Sequence, residues 1–217
     1  MGNCKLRLRY SKTGRAKFIS HLDLMSTMRR ALLRAGVELK YSQGFNPHPV
    51  MSIALPLSVG FESVCELMDF ESPVEQDAAA LPGILNRHLP EGLEILEAYV
   101  PQQKFGTISW IEFGAKLVYD AGTMPNIAEQ LTRIYRAESL VISKKTKRGE
   151  SDIDIVPLIR DVEFREDCGI TMSAKLFAQN PSISPANLIS ALPCDLVPDF
   201  MTVRRLQVFD KEMNVFA

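Results

Sequence analysis

The chain has no closely spaced cysteines. Cys4, Cys65, Cys168 and Cys194 are the whole set, and none lies within four residues of another. Zinc ribbons and iron–sulfur clusters draw ligands from close cysteine pairs, so this spacing offers neither. Four small core residues in a reducing compartment is the expected role. Histidine is also scarce: His21, His48 and His88 are too dispersed to suggest a metal site. No glycine-rich phosphate loop of the P-loop or dinucleotide type is present. No apolar run reaches membrane-spanning length, and residues 1–10 alternate charge with apolar side chains instead of forming a signal-peptide stretch. The expectation is a cytoplasmic protein with no metal, no cofactor and no membrane contact.

What is present supports a folded chain. At 217 residues, 46% of them hydrophobic, there is material for one large domain or two small ones. The net charge of −1 conceals a split. Residues 1–49 carry ten Lys/Arg against Asp23 and Glu38, a balance of +8, and residues 50–100 carry nine acids against Arg87, a balance of −8. Such segregation suggests one face built for an anion and another that avoids it or meets a cationic partner. Glu62, Glu66, Asp69, Glu71, Glu75 and Asp77 open the acidic segment, which runs over residues 62–97.

The periodicity predicts two similar halves. Residues 4–10 alternate as a strand, with Leu6 and Leu8 opposite Lys5, Arg7 and Arg9. Ser20 reads as a helix cap with Asp23 as its partner, and Leu22, Met25, Met28, Leu32 and Ala35 recur at helical spacing up to Gly36. Residues 37–41 read as a short strand, 50–57 and 64–70 as a strand pair, 74–89 as a helix kinked at Pro82, and 93–100 as a strand. The second half repeats the order. It has a strand over 110–119, a helix over 125–137, a hairpin of 140–145 with 152–159, a strand over 170–177, a helix over 185–192 capped by Ser184, and a strand over 203–209. This is an α+β chain of tandem ferredoxin-like units, strand-helix-strand-strand-helix-strand, each an antiparallel sheet with helices on one face. The expected domains are residues 1–101 and 102–217.

Two motifs exceed what core building needs: Phe18-Ile19-Ser20-His21-Leu22-Asp23, and Tyr41-Ser42-Gln43-Gly44-Phe45-Asn46-Pro47-His48-Pro49. With Arg7 to Tyr10, Gly14-Arg15 and Ala54-Leu55-Pro56-Leu57, they resemble the radical-SAM-linked protein family. This is a bacterial family of unknown function, encoded beside or fused to a cobalamin-type radical SAM protein. The resemblance covers residues 6–71 well and continues through 151–164, where Asp154-Ile155-Val156-Pro157-Leu158-Ile159 matches the family's C-terminal pattern. The family often places Lys or Arg directly after the second motif, where this chain has Val50. A radical SAM enzyme needs three close cysteines, which are missing here, so the resemblance implies the partner without the catalyst.

The motif chemistry suits an anion and a base. Lys12, Arg15 and Lys17 precede a helix N-terminus whose free N–H groups and dipole attract phosphate. Ser20 and His21 add a hydroxyl and an imidazole there, or serve only as cap and first-turn residue. Gly44 to Pro49 is a stiff segment from which Phe45 or His48 could stack on a base and Asn46 read its edge. Alternatively Phe45 belongs to the core and Asn46 folds back on its own turn. Lys144, Lys145, Lys147 and Arg148 crowd a hairpin tip, as solvated charge or as a second phosphate contact.

Three functions fit. The favoured one is a non-catalytic RNA-binding accessory that presents tRNA or rRNA to a radical SAM partner, with no DNA expected. The second is a metal-independent endoribonuclease in which His21 is the base, His48 or Tyr41 the acid, and Arg15 or Lys17 the charge stabiliser. The third is a protein adaptor that docks through its acidic face.

Overall fold

The computed structural model describes residues 4–120, 125–146, 149–167 and 169–217. They fall into two compact units, Met1–Gly106 together with Ala217, and Thr107–Phe216. Both mix α and β, with antiparallel sheet dominating and helices few and short. No helix of the described residues is long and apolar enough to cross a membrane.

In the first unit, β1 (Cys4–Lys12), β2 (Met51–Ile53), β3 (Glu62–Ser72) and β4 (Leu93–Tyr99) form an antiparallel array in the order β4-β1-β3-β2. Alternation along β1 sends Leu6, Leu8 and Tyr10 to one face, where they meet Met68 and Phe70 of β3. Helix α1 (His21–Arg34) adds Leu24, Met28 and Leu32 to that core, and α2 (Leu81–Leu85) adds Leu81 and Leu85.

Three local expectations change here. The helix foreseen over 74–89 is only α2 followed by a 3-10 turn, Asn86–His88. Pro82 lacks an amide hydrogen and fits only a first turn, so it begins the helix instead of kinking it. The strand foreseen over 50–57 stops at Ile53, because Leu55 adopts a φ of 44° and Pro56 follows. Residues 37–41 are not a strand. The Lys40 amide donates to the Glu71 carbonyl (2.8 Å), and Tyr41 makes an isolated bridge to Pro49.

Part of the charge segregation is pairing within the unit. Arg7 lies opposite Asp69 in the β1–β3 register, and its guanidinium donates to both carboxylate oxygens (2.7 and 3.1 Å). Arg7 is 0% exposed, donates also to the Gln103 carbonyl (2.8 Å), and lies 4.4 Å from the Phe105 ring centroid. Lys5 joins Asp69 (2.9 Å), Lys40 pairs with Glu71 (2.7 Å), and Arg9 reaches Glu97 (3.6 Å). The picture of separate anion-binding and anion-avoiding faces fails for these residues, since Asp69, Glu71 and Glu97 of the acidic segment are partners of the basic one.

In the second unit, β5 (Trp110–Val118), β8 (Ile159–Asp167), β9 (Gly169–Phe177) and β10 (Phe200–Phe209) form an antiparallel array in the order β10-β5-β9-β8. Strands β6 (Val141–Thr146) and β7 (Gly149–Asp154) pair only with each other among the described strands. The sheet strand next to β9 is therefore β8, absent from the sequence reading, and not the 152–159 segment. Helix α3 (Ile127–Tyr135) buries Ile127 and Leu131, and α4 (Pro185–Ile189) starts at a capping box between Ser184 and Asn187. The Tyr135 hydroxyl donates to the Leu188 carbonyl (2.7 Å), and burial pushes its pKa up. The Asp154-to-Ile159 pattern has a structural role. Asp154 Oδ1 accepts from the amides of Leu140 and Val156 (3.0 Å each), which lowers its pKa, and Ile155 is fully buried.

Replacing Asp69 with Ala strands a buried guanidinium, and the expected loss is about 3–5 kcal/mol. Lys5→Ala, at the exposed side of the same carboxylate, should cost less than about 1 kcal/mol. Urea unfolding of both variants measures the difference; equal midpoints would show that Arg7–Asp69 is not the dominant pair.

Candidate nucleic-acid interface

Both motifs lie in the first unit, one at the start of α1 and the other in the loop before β2. A 3-10 turn (Gly14–Phe18) links β1 to the first motif. It is held from beneath: Lys12 is 1% exposed, and its ammonium donates to the carbonyls of Lys17 (3.2 Å) and Ile19 (3.1 Å). Lys12 therefore supports the turn and leaves the set of surface cations. Gly92 closes the other side. The Thr13 amide donates to its carbonyl (2.8 Å), and a Cβ at Gly92 would stand 2.4 Å from the Thr13 oxygen.

Ser20 caps α1. Its hydroxyl accepts from the Asp23 amide (3.2 Å) and donates to Asp23 Oδ2 (2.7 Å). The Asp23 carboxylate thus binds the cap's hydroxyl, so Ser20 is committed to the helix end. His21 is exposed at the first position of α1. The side chains the motif leaves outside are apolar as well as polar: Phe18 is 64% exposed and Leu22 77%. Lys17 Nζ sits 5.3 Å from the Phe18 ring centroid.

The second motif is closed by a clasp. The Ser42 amide donates to the His48 carbonyl (2.8 Å), and the His48 amide donates to Ser42 Oγ (3.1 Å). The imidazole Nδ1 lies 3.0 Å from Ser42 Oγ and 3.4 Å from the Asn46 carbonyl. Gly44 supplies the turn with a φ of 126°, a backbone geometry that L side chains rarely adopt. Phe45 stands fully exposed at the tip, so the expectation that it belongs to the core fails. Asn46 is exposed beside it, and Tyr41 is 44% exposed at the base.

Among the described residues, five of the ten N-terminal cations remain at the surface in no ion pair: Arg15, Lys17, Arg29, Arg30 and Arg34. The last three ride the outward face of α1. All three lie off the apolar stripe of Leu22, Met25, Met28, Leu32 and Ala35. That displacement is the signal that exposes them. Arg29 also lines a cleft of about 210 Å3 with Met25, Ser26, His48, Pro49 and Met51. His48 is the only residue there that the motif chemistry had singled out.

In the second unit, Lys144 donates to the Ser182 carbonyl, so it serves as a tether. Lys145 sits in β6 opposite Glu150. Lys147 and Arg148, like Cys168, lie outside the described residues. No three His, Cys, Asp or Glu converge as a metal-binding group among the described residues.

Residues 5–185 match the family model described as "Uncharacterized protein conserved in bacteria (DUF2344)", and the chain belongs to that family. No curated protein matches the chain. A similar solved structure is that of an unknown protein from Galdieria sulphuraria. It shows 11% identity over 94% of this chain and 98% of that one, with a TM-score of 0.28, too low to carry a structural argument.

Gly92→Ala should loosen the turn under the first motif and cost more than about 1 kcal/mol, because the added carbon meets a backbone oxygen at a positive φ. Thermal unfolding tests it, and an unchanged midpoint would mean that the turn relaxes freely. Ser42→Ala should remove about 1 kcal/mol and speed amide exchange in residues 42–48. Unchanged exchange would show that the prolines alone hold the loop.

Proposed function

We propose that the chain is a non-catalytic RNA-binding accessory protein that presents a tRNA or rRNA to a radical SAM partner in the cytoplasm. The observation that carries this reading is the occurrence of exposed arginines, a half-buried Lys17 and exposed rings in one unit. Arg15, Lys17, Arg29, Arg30 and Arg34 accompany Phe18 and the fully exposed Phe45. Cations hold the phosphate backbone, and aromatic faces stack on unpaired bases. Phe45 is presented on a clasped loop, which reduces the ordering entropy that stacking would otherwise cost.

The two-unit reading is supported by strand order. Each unit places its fourth and first sheet strands together, then its third and second, all antiparallel. That order, with a helix after the first strand and another after the third, is what a ferredoxin-like unit would have, and it supports that reading. Fold analogy by itself does not assign chemistry. The radical SAM partner rests on the resemblance carried by the two motifs.

Filter binding of the purified protein to cellular tRNA and rRNA, at low and moderate salt in metal-free buffer, tests the proposal. The expected result is salt-dependent retention of intact RNA, with Arg15→Ala and Lys17→Ala each lowering the salt slope by about one. Cleaved RNA that becomes intact in His21→Ala would replace this reading with an endoribonuclease. No retention at low salt would leave the protein adaptor.

A further inference from the structure

The cleft beside α1 combines features that neither motif accounts for. Met25, Ser26 and Arg29 come from one side of the helix, and His48, Pro49 and Met51 from the clasped loop and the start of β2. Met25, Pro49 and Met51 are half-buried, and they give the cleft apolar walls of thioether and ring. Thioethers are polarisable and make favourable contacts with aromatic rings. Three residues with polar side chains, Arg29, Ser26 and His48, share the lining with these walls. Since Nδ1 of His48 is engaged in the clasp, Nε2 is the nitrogen left to meet a ligand.

Size limits the occupant. About 210 Å3 lies below the roughly 300–1,000 Å3 of drug-sized pockets, so the cleft holds one ring system and not a stacked pair. Charge selects an anion. In the β2–β3 register Met51 lies opposite Phe70, between Asp69 and Glu71. Asp69 is bound to Arg7 and Lys5, and Glu71 to Lys40, so neither carboxylate stands as uncompensated negative charge behind the cleft. Arg29, by contrast, forms no ion pair among the described residues. A flat heteroaromatic ring attached to a phosphate meets each of these conditions.

We propose that this cleft takes a single unstacked nucleotide, with its base against Met25, Pro49 and Met51 and its phosphate on Arg29. The inference rests on the RNA reading above and narrows it to one nucleotide unit. Ser26 and His48 Nε2 supply hydrogen bonds to the base edge or the ribose. Phe45, on the same loop, is then placed to stack on a neighbouring base of the strand.

The test uses the full chain with 13C-labelled methionine methyls, titrated with AMP and UMP. Ribose 5-phosphate and inorganic phosphate serve as controls. The expected result is a saturable ring-current shift of the Met25 and Met51 methyls with the nucleotides and none with the controls. Arg29→Ala, at an exposed position, should weaken nucleotide binding about tenfold. Absence of a saturable shift at either methyl, or equal shifts with ribose 5-phosphate, overturns the inference. RNA retention on the same preparation separates the two ideas. RNA retained without any methyl shift from nucleotide or RNA sinks the cleft and keeps the RNA reading. Methyl shifts with nucleotides but no RNA retention sinks the RNA reading and leaves the cleft as a site for a free nucleotide.

Discussion

The buried Arg7–Asp69 pair sets the geometry on which the first unit's surface depends. A guanidinium at 0% exposure is tolerable only when its donors are satisfied, and here a bidentate carboxylate and the Gln103 carbonyl share them. Lysine could not replace it, because a point ammonium lacks the planar fork. The pair also pins the β1–β3 register, since a slip of one residue would turn Arg7 into the apolar core. That register fixes Glu71, two residues beyond Asp69. Glu71 then holds both ends of the second motif's loop. Its carbonyl accepts from the Lys40 amide, its amide donates to the Val50 carbonyl, and its carboxylate binds the Lys40 ammonium. The position of the clasped loop is thus a consequence of strand pairing inside the sheet.

This arrangement divides the basic segment into two populations with different physics. Lys5, Arg7, Arg9 and Lys40 meet acids of the next segment, and Lys12 meets carbonyls. Their charge is spent within the unit and contributes little to the field outside it. Arg15, Lys17 and the α1 arginines are solvent-facing, and their attraction for an anion is screened over roughly 8–10 Å at ordinary ionic strength. A near-neutral chain can therefore carry a locally basic surface. The sequence-wide pI of about 6.3 says nothing about that surface.

How much of this was legible follows from which forces leave a pattern. Strands β4, β5, β9 and β10 and helix α1 showed in the sequence because each buries one face more than the other, while β1 showed because its second face, though buried, is made of charged residues, and β3 is buried along both faces. Strand β8 did not show. Its sequence, IRDVEFRED, is exposed at most positions, and its alternation is broken by an irregularity at Asp161, where φ is 49°. The helix over 74–89 was overread because its apolar spacing outweighed a proline that allows only a first turn. Lys12 was misassigned for a different reason: an ammonium capping carbonyls across a tight turn has no sequence signature. The cleft was equally invisible, because it joins residues 25–29 to residues 48–51 through a loop path set by the Glu71 bonds and the Ser42–His48 clasp.

Each motif separates into a frame and a display, and that division is the best argument that the motifs have a task beyond folding. In the first, Ser20 and Asp23 close the helix end and the Ile19 carbonyl receives Lys12, while Phe18, His21 and Leu22 face outward. In the second, Ser42 and His48 close the loop, while Phe45 and Asn46 face outward. A purely structural motif would gain about 1.5–3 kcal/mol for each large apolar side chain it buried. These motifs forgo that gain at Phe18, Leu22 and Phe45, and they use bonds among their small polar residues to hold those side chains in water. Isolated exposed apolar residues are ordinary, but a ring mounted on a clasped loop, in a unit that also exposes arginines unpaired among the described residues, is suited to contact with a partner. Under the proposed reading, the exposed rings would stack on unpaired bases and the cations would meet the phosphate backbone.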